Sequence, residues 1–421
     1  MSTSVPGLLF EAHRSRKKGA AEVERWQRHR LAAAVASARA YSLYYGELYE
    51  HLPKGIDDVT LLPVTDKKQL MARFDDWVTD RKITAAKVRG FINDGDDLIG
   101  ERFLSGYLVA TTSATRETGG IFLLDEPALA VAAALYLRML TSWLNASDWI
   151  RIAAGRRRIA WVQADGSHSL TANGFAALRK KRFAGPIRLF GAQTPLPELV
   201  DELNRFRPVI VGGSANVMTM LAGEREAGRL HIKPVLVCPS FEGLTEGGYE
   251  RIAVAFQAKV RTSYAATECL PLAYGCEHQW LHINSDWFVV EPVDASHRPV
   301  VPGEQSHTVL VSNLANRVQP ILRYDLGDRI VQRPDLCPCG DWAPAIRVLG
   351  RTADVLTLAA ENGAPVSILP LEFEVGRVPG VVLYQIVQSA LTNLRVRLLT
   401  AAGADPELVW EAVQAEIKRL L

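Results

Sequence analysis

The sequence predicts an α/β protein: a large domain with mostly parallel sheets and a β subregion, followed by a small, shortened α/β domain. Three observations support this class. From residue 106 to residue 263, short apolar runs alternate with helical patterns, as in βαβ units. After residue 284, apolar and polar residues alternate, and beyond residue 350 a third pattern begins. We expect domains at residues 1–350 and 351–421, with residues 1–80 as a helical cap.

The first 80 residues are predicted to be helical. Apolar residues recur at helical spacing from residue 20 to residue 49, which predicts one long amphipathic helix. Thr65 or Asp66 is then a suitable N-cap for a helix that continues through Phe74. This cap is expected to lie on the larger sheet domain.

The central alternation predicts a parallel sheet, and such sheets bind ligands at the carboxyl ends of their strands. The expected strands are residues 107–111, 159–163, 187–189, 209–211, 235–237 and 259–263. Helices are expected from residue 126, between residues 163 and 187, and at residues 197–206, 216–226 and 246–256.

The last third of the chain is predicted to differ from the centre. Antiparallel strands or a small barrel are expected at residues 287–291, 308–312 and 328–332. The C-terminal domain is expected to contain strands at residues 355–358, 381–388 and 394–399, a helix at residues 369–375, and a final helix from Pro406.

Composition excludes several classes of protein. Lys and Arg total 48 against 46 Asp and Glu, so the formal net charge of +2 gives no field to hold nucleic acid or an anionic membrane. Residues 1–24 lack the apolar core of a secretory signal. The apolar stretch 128–144 contains Arg138 and falls short of the roughly 20 residues of a membrane span. We expect a cytoplasmic protein without nucleic-acid or membrane partners.

Four segments carry residues suited to nucleotide chemistry. Residues 111–120 form a hydroxyl-rich loop after a strand, which is typical either of a phosphate site or of a solvated turn. Residues 263–268 offer an aromatic ring, a hydroxyl and a carboxylate, which suit a base, a phosphate and Mg²⁺, although a strand end with a helix cap is the alternative. Residues 323–328 and 350–351 add carboxylates and a guanidinium, which suit a ribose or, alternatively, an ordinary turn and a surface arginine.

In this order and spacing, the four segments resemble the motifs of the adenylate-forming superfamily of acyl-CoA synthetases and adenylation domains. The phenylacetate-coenzyme A ligase branch, with its deazaflavin-adenylating relatives, is the most similar. The resemblance runs from the N-terminal helix to the start of the final helix. It implies a large adenylate-forming domain and a smaller C-terminal domain.

The resemblance also implies roles for single residues. The loop hydroxyls of Ser113, Thr115 and Thr118 would face the phosphates of ATP. Tyr264 would lie against adenine, Thr267 would contact the α-phosphate, and Glu268 would help to hold Mg²⁺. Asp328 would bind the ribose hydroxyls, with Arg351 beside it.

Several positions depart from the family pattern. Ala114 and Glu117 replace loop glycines, and Ala353 replaces the first hinge aspartate. The Gly-Lys motif that follows the last helix in the family is not matched, since Lys418 lies within that helix. These departures favour an alternative, a catalytically weakened homologue that binds a nucleotide or an acyl ligand as a partner protein.

A second constellation consists of Cys276, Cys337 and Cys339 with His278 or His282. Three thiols and a histidine suit tetrahedral Zn²⁺, while reduced cysteines without a metal are the alternative. Related ligases often carry Cys-Pro-Cys-Gly here and Leu-His-Ile upstream, so the resemblance favours a structural zinc ion held by His282 and the three cysteines.

The function that we expect is an ATP-dependent ligase that activates a small aromatic or apolar carboxylate as its acyl-AMP. Coenzyme A or an amine would be the acceptor, and adenylyl transfer to a non-carboxylate oxygen is a further alternative. The expected ligands are therefore ATP, Mg²⁺, structural Zn²⁺, the carboxylate and coenzyme A. A homodimer is one possible oligomeric state, which the sequence does not decide.

Overall fold

The computed structural model describes residues 4–94, 99–112, 119–163, 169–179, 185–241, 243–359, 365–401 and 403–420. The described α-helices are α1 (Val5–Lys17), α2 (Ala20–Tyr41), α3 (Leu43–Leu48), α4 (Lys67–Ala72), α5 (Phe74–Trp77), α6 (Ala85–Asn93), α7 (Glu126–Trp143), α8 (Ala146–Ala154), α9 (Leu170–Arg179), α10 (Leu196–Phe206), α11 (Ala215–Glu226), α12 (Glu246–Phe256) and α13 (Pro406–Lys418).

The described strands belong to one parallel sheet and several antiparallel sheets. They are β1 (Leu108–Thr111), β2 (Ile121–Leu124), β3 (Ile159–Gln163), β4 (Ile187–Gly191), β5 (Ile210–Ser214), β6 (Leu236–Ser240), β7 (Lys259–Val260), β8 (Ser263–Ala266), β9 (Cys269–Gly275), β10 (Leu281–Ile283), β11 (Phe288–Val293), β12 (Thr308–Asn313), β13 (Ile321–Asp325), β14 (Asp328–Gln332), β15 (Ala345–Arg351), β16 (Leu356–Ala359), β17 (Pro365–Ile368), β18 (Val381–Ala390) and β19 (Asn393–Thr400).

The N-terminal region is helical, but the single helix predicted at residues 20–49 is wrong. Ser42 has an extended backbone, with φ −100° and ψ 123°, and it separates α2 from α3. Its hydroxyl accepts a hydrogen bond from the Tyr45 N–H, so capping a new helix replaces continuation of the old one. The predicted cap at Asp66 is confirmed, since its carboxylate accepts from the Gln69 N–H at 2.8 Å.

The predicted parallel sheet is confirmed, with strand order β4-β3-β5-β6-β7. Apolar residues of α10, α11 and α12 pack with residues of the sheet in a common core. Two predicted strands lie elsewhere. The strand predicted at residues 107–111 is β1, which pairs with β2 in an antiparallel hairpin outside this sheet.

The second of these two strands, predicted at residues 259–263, is divided between two sheets. β7 ends at Val260, and β8 begins a new, antiparallel sheet at Ser263. Between them the Thr262 hydroxyl donates to the Pro239 carbonyl at 2.7 Å, while the Gly275 N–H donates to the Thr262 carbonyl at 2.8 Å. Thr262 therefore connects the two sheets.

The antiparallel character predicted for the last third is confirmed. One sheet has the order β14-β15-β10-β9-β8, and another has the order β11-β12-β13. The segments predicted at residues 287–291 and 308–312 thus lie in one sheet and that at residues 328–332 in another. The result is two open sheets within the β subregion.

The smaller C-terminal part contains the hairpins β16–β17 and β18–β19 and the helix α13. Among the described residues, its buried apolar side chains form a core of residues from Leu358 to Ile417. The helix predicted at residues 369–375 is wrong: two short 3-10 turns, Pro370–Glu372 and Glu374–Arg377, stand there. The backbone of Phe373 between them has ψ 95°, which no helix tolerates.

Among the described residues, no single helix is long and apolar enough to cross a membrane. By length and composition alone, α7 and α8 together would suffice, although they are bent by 107° at their junction.

Candidate active site

A cleft of about 3440 Å³ brings several of the predicted segments together. Its lining includes Thr112 at the end of β1, the turn between β8 and β9, the start of β14 and the end of β15. The C-terminal part contributes the cleft-facing residues of β18. The carboxyl end of β6, at Cys238 and Ser240, also reaches this cleft, as predicted for a ligand of a parallel sheet.

Tyr264 and Asp328 meet inside the cleft. The Tyr264 hydroxyl donates to Asp328 Oδ2 at 2.5 Å, and Asp328 is only 9% exposed. Burial raises the pKa of the Asp328 carboxyl above its ordinary value, although the hydrogen bond from Tyr264 opposes that change. One carboxylate oxygen is thus held by the phenol, and the other faces the guanidinium of Arg351.

Strand pairing places Arg351 at this carboxylate. Asp328 and Arg351 are opposite each other in the β14–β15 pair, which brings Arg351 Nε to 3.7 Å from Asp328 Oδ1. The side chain of Arg351 is 73% exposed, so the ion pair contributes little to folding. An exposed guanidinium beside a buried carboxylate instead remains available to a ligand.

Glu268 lies in the turn that joins β8 to β9, next to Thr267. Its Oε1 accepts a hydrogen bond from the Tyr324 hydroxyl at 3.0 Å. Burial raises the pKa of the Glu268 carboxyl, since the anion loses its hydration. Asn313 fixes the turn by donating its side-chain N–H to the Glu268 carbonyl at 2.9 Å. Thr267 and Glu268 both line the cleft.

The hydroxyl-rich segment is described only at its two ends. The predicted phosphate contacts Ser113, Thr115 and Thr118 lie outside the described residues. At the neck of the segment, the Thr112 N–H donates to the Gly120 carbonyl at 3.0 Å, and the Gly120 N–H donates to Thr112 Oγ1 at 2.8 Å. These bonds hold the two ends of the segment together at the cleft.

The predicted metal ligands Cys276, His282, Cys337 and Cys339 converge, and their ligand atoms lie within 4.8 Å of one another. The Cys276 and Cys337 Sγ atoms are 3.7 Å apart, close to the roughly 3.8 Å edge of a tetrahedron with Zn–S bonds of about 2.3 Å. His282 Nδ1 lies 3.0 Å from the Ala343 carbonyl, so a proton there leaves Nε2 free as a ligand atom.

The cluster also has the chemistry of a cation site. Burial, followed by the neighbouring thiols, raises the pKa of Cys339 to about 12, because thiolates side by side repel one another without a cation. His282 is fully buried, and its Nε2 lies 3.2 Å from Cys339 Sγ. The donor set therefore fits a tetrahedral zinc ion.

Comparisons with known proteins address the fold. No protein-family model matches the chain. It is 26% identical to protein CapK of Staphylococcus aureus over 225 residues, or 52% of this chain and 48% of CapK. The chain thus spans about half the length of that relative.

Solved structures match over more of the chain. A structure of 2-hydroxyisobutyryl-CoA ligase in the postadenylation state with 2-HIB-AMP has a TM-score of 0.68 at 20% identity, covering 96% of this chain and 84% of that one. The same ligase with 2-HIB-AMP and CoA in the thioesterification state gives 0.58 at 20% identity, with 96% and 85% covered. The chain has the fold of the adenylate-forming ligases. An amide bond synthetase from Marinactinospora thermotolerans is similar over 74% of this chain and 62% of its own, at 15% identity and a TM-score of 0.50.

In this adenylate-forming fold, the part of the cleft beside β3, β5 and β6 is largely apolar. Tyr136, Trp161, Cys238 and Tyr249 line it. The Trp161 ring lies directly over Gly212, where an added Cβ would come within 2.1 Å of the indole. The indole Nε1 is buried and has no hydrogen-bond partner among the described residues. The aromatic and thiol side chains at this end of the cleft suit an apolar group.

Two cleft residues were not assigned a role from the sequence. Tyr324 lies in the segment 323–328, which resembles a family motif. No role was predicted for it, because its contact with Glu268 is visible only in the folded structure. Lys67 follows the helix cap Asp66 and carries no motif signal of its own. Its Nζ donates to Thr112 Oγ1 at 2.9 Å, at the neck of the hydroxyl-rich segment.

Proposed function

We propose that this chain is an ATP-dependent ligase that activates a small aromatic or otherwise apolar carboxylate as its acyl-AMP. Coenzyme A or an amine would then displace AMP. The observation that carries the proposal is the convergence of Tyr264, Asp328 and Arg351 with the turn that bears Thr267 and Glu268 in one cleft. The named structural neighbours support both steps, formation of the acyl-AMP and displacement of AMP, since one binds an acyl-AMP and CoA and another is an amide bond synthetase.

The nucleoside would bind at the Tyr264 and Asp328 end of the cleft. The ring of Tyr264 would lie against adenine, while Asp328 would accept hydrogen bonds from the ribose hydroxyls. The hydrogen bond from Tyr264 fixes the carboxylate in one orientation. Arg351, exposed beside it, would reach the ribose or a phosphate.

The phosphates would lie along the turn and the hydroxyl-rich segment. Thr267 would contact the α-phosphate, and Ser113, Thr115 and Thr118 would contact the remaining phosphates. Glu268 fits Mg²⁺, a hard cation that prefers carboxylate and phosphate oxygens, because a nearby dication would relieve the cost of its buried charge. When bound, Mg²⁺ would neutralise phosphate charge, while the chain's own groups position the α-phosphate for attack.

The reaction that follows is in-line displacement. A substrate carboxylate oxygen attacks the α-phosphorus, and the bond from that phosphorus to the bridging oxygen breaks, so that pyrophosphate leaves with the electron pair. The apolar end of the cleft near Trp161 would hold the rest of the acid. Positioning and charge stabilisation supply the catalysis in such a step.

The direct test is substrate-dependent release of pyrophosphate from MgATP across a panel of aromatic and aliphatic acids. Release by the wild type that is lost in Glu268→Ala and kept in a variant at a distant surface residue, Glu198→Ala, supports the ligase. MgATP binding without release for any acid would instead favour the weakened homologue that acts as a binding partner.

We also propose that Cys276, His282, Cys337 and Cys339 hold a structural zinc ion. It would join the end of β9 and the strand β10 to the loop before β15. Zinc measured in protein purified without added metal tests this, with Cys238→Ser as the control for loss of a cysteine outside the cluster. Reduced thiols of this kind agree with a cytoplasmic location, which we propose as well.

The domain boundary is a further proposal. We place it at residues 350 and 351, where β15 ends, because the C-terminal hairpins and α13 share a core of their own, although the pairing of Arg351 with Asp328 keeps this residue on the β subregion. Limited proteolysis that yields a stable fragment ending near this boundary would support it.

A further inference from the structure

Lys67 brings a positive charge into the cleft from the N-terminal helical region. It is the first residue of α4, which Asp66 caps. Its Nζ donates to Thr112 Oγ1 at 2.9 Å, and the same oxygen accepts from the Gly120 N–H at 2.8 Å. The ammonium group thus stands at the neck of the hydroxyl-rich segment, in the lining of the cleft.

Backbone pairing fixes this position. The Thr65 N–H donates to the Arg323 carbonyl at 3.0 Å, and the Asp325 N–H donates to the Thr65 carbonyl at 2.8 Å. Thr65 therefore pairs with β13 at Tyr324, whose hydroxyl holds Glu268. Only Asp66 separates Thr65 from Lys67, so the lysine is held at a set distance from the turn that bears Glu268.

Lys67 is partly buried and has no neutralising ion-pair partner among the described residues. Thr112, which accepts the hydrogen bond from Lys67, is a neutral hydroxyl. The Glu268 carboxylate attracts the Lys67 ammonium from a greater distance. An ammonium group has three donors, and Thr112 accepts only one of them. Among the described residues, this arrangement leaves two donors of a partly desolvated cation for an anionic ligand in the cleft.

We propose that Lys67 binds the β- and γ-phosphates of ATP and stabilises the pyrophosphate that leaves when the acyl-AMP forms. This inference rests on the proposed function and adds a catalytic residue to it. Asp328 and Tyr264 would place the nucleoside on the other side of Glu268, so the terminal phosphates extend toward Thr112. A lysine ammonium is a compact point charge that suits such phosphate oxygens.

The chemistry needs no further reactant. As the bond between the α-phosphorus and the bridging oxygen breaks, negative charge accumulates on that oxygen and on the departing pyrophosphate. The ammonium of Lys67 donates hydrogen bonds to it without giving up its proton. AMP and the acyl-AMP lack the terminal phosphates, so their affinity does not depend on Lys67.

The test compares Lys67→Met with Lys54→Met, which removes an exposed lysine that does not line the cleft. Affinities for MgATP, inorganic pyrophosphate and AMP are measured by calorimetry on the full chain. Loss of one charge-assisted hydrogen bond corresponds to roughly 10- to 100-fold in affinity. We expect Lys67→Met to bind MgATP and pyrophosphate more weakly by that factor, with AMP affinity changed by less than about twofold and Lys54→Met like the wild type.

Each other outcome overturns the inference. An equal loss of AMP and MgATP affinity in Lys67→Met would show that Lys67 only supports the loop neck. Unchanged MgATP affinity would show that it contacts no phosphate. A wild type that binds neither MgATP nor AMP would remove the proposed function, and the role of Lys67 with it. Lys67→Gln, which keeps a hydrogen-bond donor for Thr112, replaces Lys67→Met if the latter does not fold.

Discussion

The substitution Asp328→Asn tests the ribose contact directly. Asn has nearly the same shape and keeps an oxygen to accept the Tyr264 hydroxyl, but it lacks the charge that strengthens hydrogen bonds to two ribose hydroxyls. Hydrogen bonds to charged groups contribute about 1.5–3 kcal/mol. A loss of about 2.3 kcal/mol weakens MgATP binding by a factor of about 50.

This loss translates into a shift of melting temperature. At 100 times the wild-type Kd, MgATP stabilises the native state by about 2.7 kcal/mol, and after a 50-fold loss of affinity the same concentration gives only about 0.6 kcal/mol. For 421 residues, at about 2.1 cal/mol/K of unfolding entropy each, these values correspond to shifts of about 3 °C and about 0.7 °C. Scanning fluorimetry with and without MgATP resolves that difference.

The nucleotide-free protein supplies a control within the same experiment. Since burial raises the pKa of Asp328, its charge costs stability at neutral pH, and Asp328→Asn should not lower the melting temperature without ligand. The control substitution Asp201→Asn, on the exposed side of α10, should leave the melting temperature unchanged both with and without MgATP. A MgATP shift of equal size in the wild type and in Asp328→Asn would refute the ribose assignment.

Three further predictions concern the acyl end, the metal and pH. In Gly212→Ala the new Cβ meets the Trp161 ring, so we expect a loss of about 1–3 kcal/mol in chemical denaturation and a raised KM for the acid, with AMP affinity unchanged. Cys337→Ser should reduce bound zinc from about one equivalent to less than half, measured by elemental analysis; full retention would contradict the cluster. Because burial raises the pKa of Glu268, the nucleotide-free protein should gain stability as pH falls through that raised pKa, where the folded state binds a proton that the unfolded chain still lacks. Glu268→Gln, measured by urea denaturation across pH, should lose this gain; an identical pH profile would show that another group is responsible.

Local sequence signals predicted the elements whose cause is local. The alternation of strands and helices predicted the parallel sheet, and Thr65 and Asp66 were the two candidate caps, because a side-chain oxygen before a helical pattern satisfies a free N–H; the structure selects Asp66. The three cysteines were recognised from residue type and spacing, the resemblance favoured His282 over His278, and the structure brings these four residues together. Their binding of zinc stays a prediction.

Errors arose where tertiary contacts decide the outcome. Periodicity continues through Ser42, yet its hydroxyl starts a new helix there. Thr262 ends one sheet and begins another through hydrogen bonds to Pro239 and Gly275, residues that are distant in the sequence. Lys67 carries no local signal, because its place in the cleft depends on pairing between Thr65 and a strand more than 250 residues later.

The junction between the β subregion and the C-terminal part determines which cleft contacts would change if the C-terminal part rotated. The Thr352 N–H donates to the Gly327 carbonyl at 2.9 Å, and its hydroxyl donates to the His307 carbonyl at 2.6 Å. The chain is therefore attached to the β subregion through Thr352, and β16 begins at Leu356. A rotation of the C-terminal part must pivot in the three residues between them. It would carry β18 across the cleft while Asp328 and Arg351 keep their positions, because both lie on strands that precede the pivot. We expect the ribose contact to persist through such a motion, and the change to be confined to the side of the cleft that an acceptor would enter.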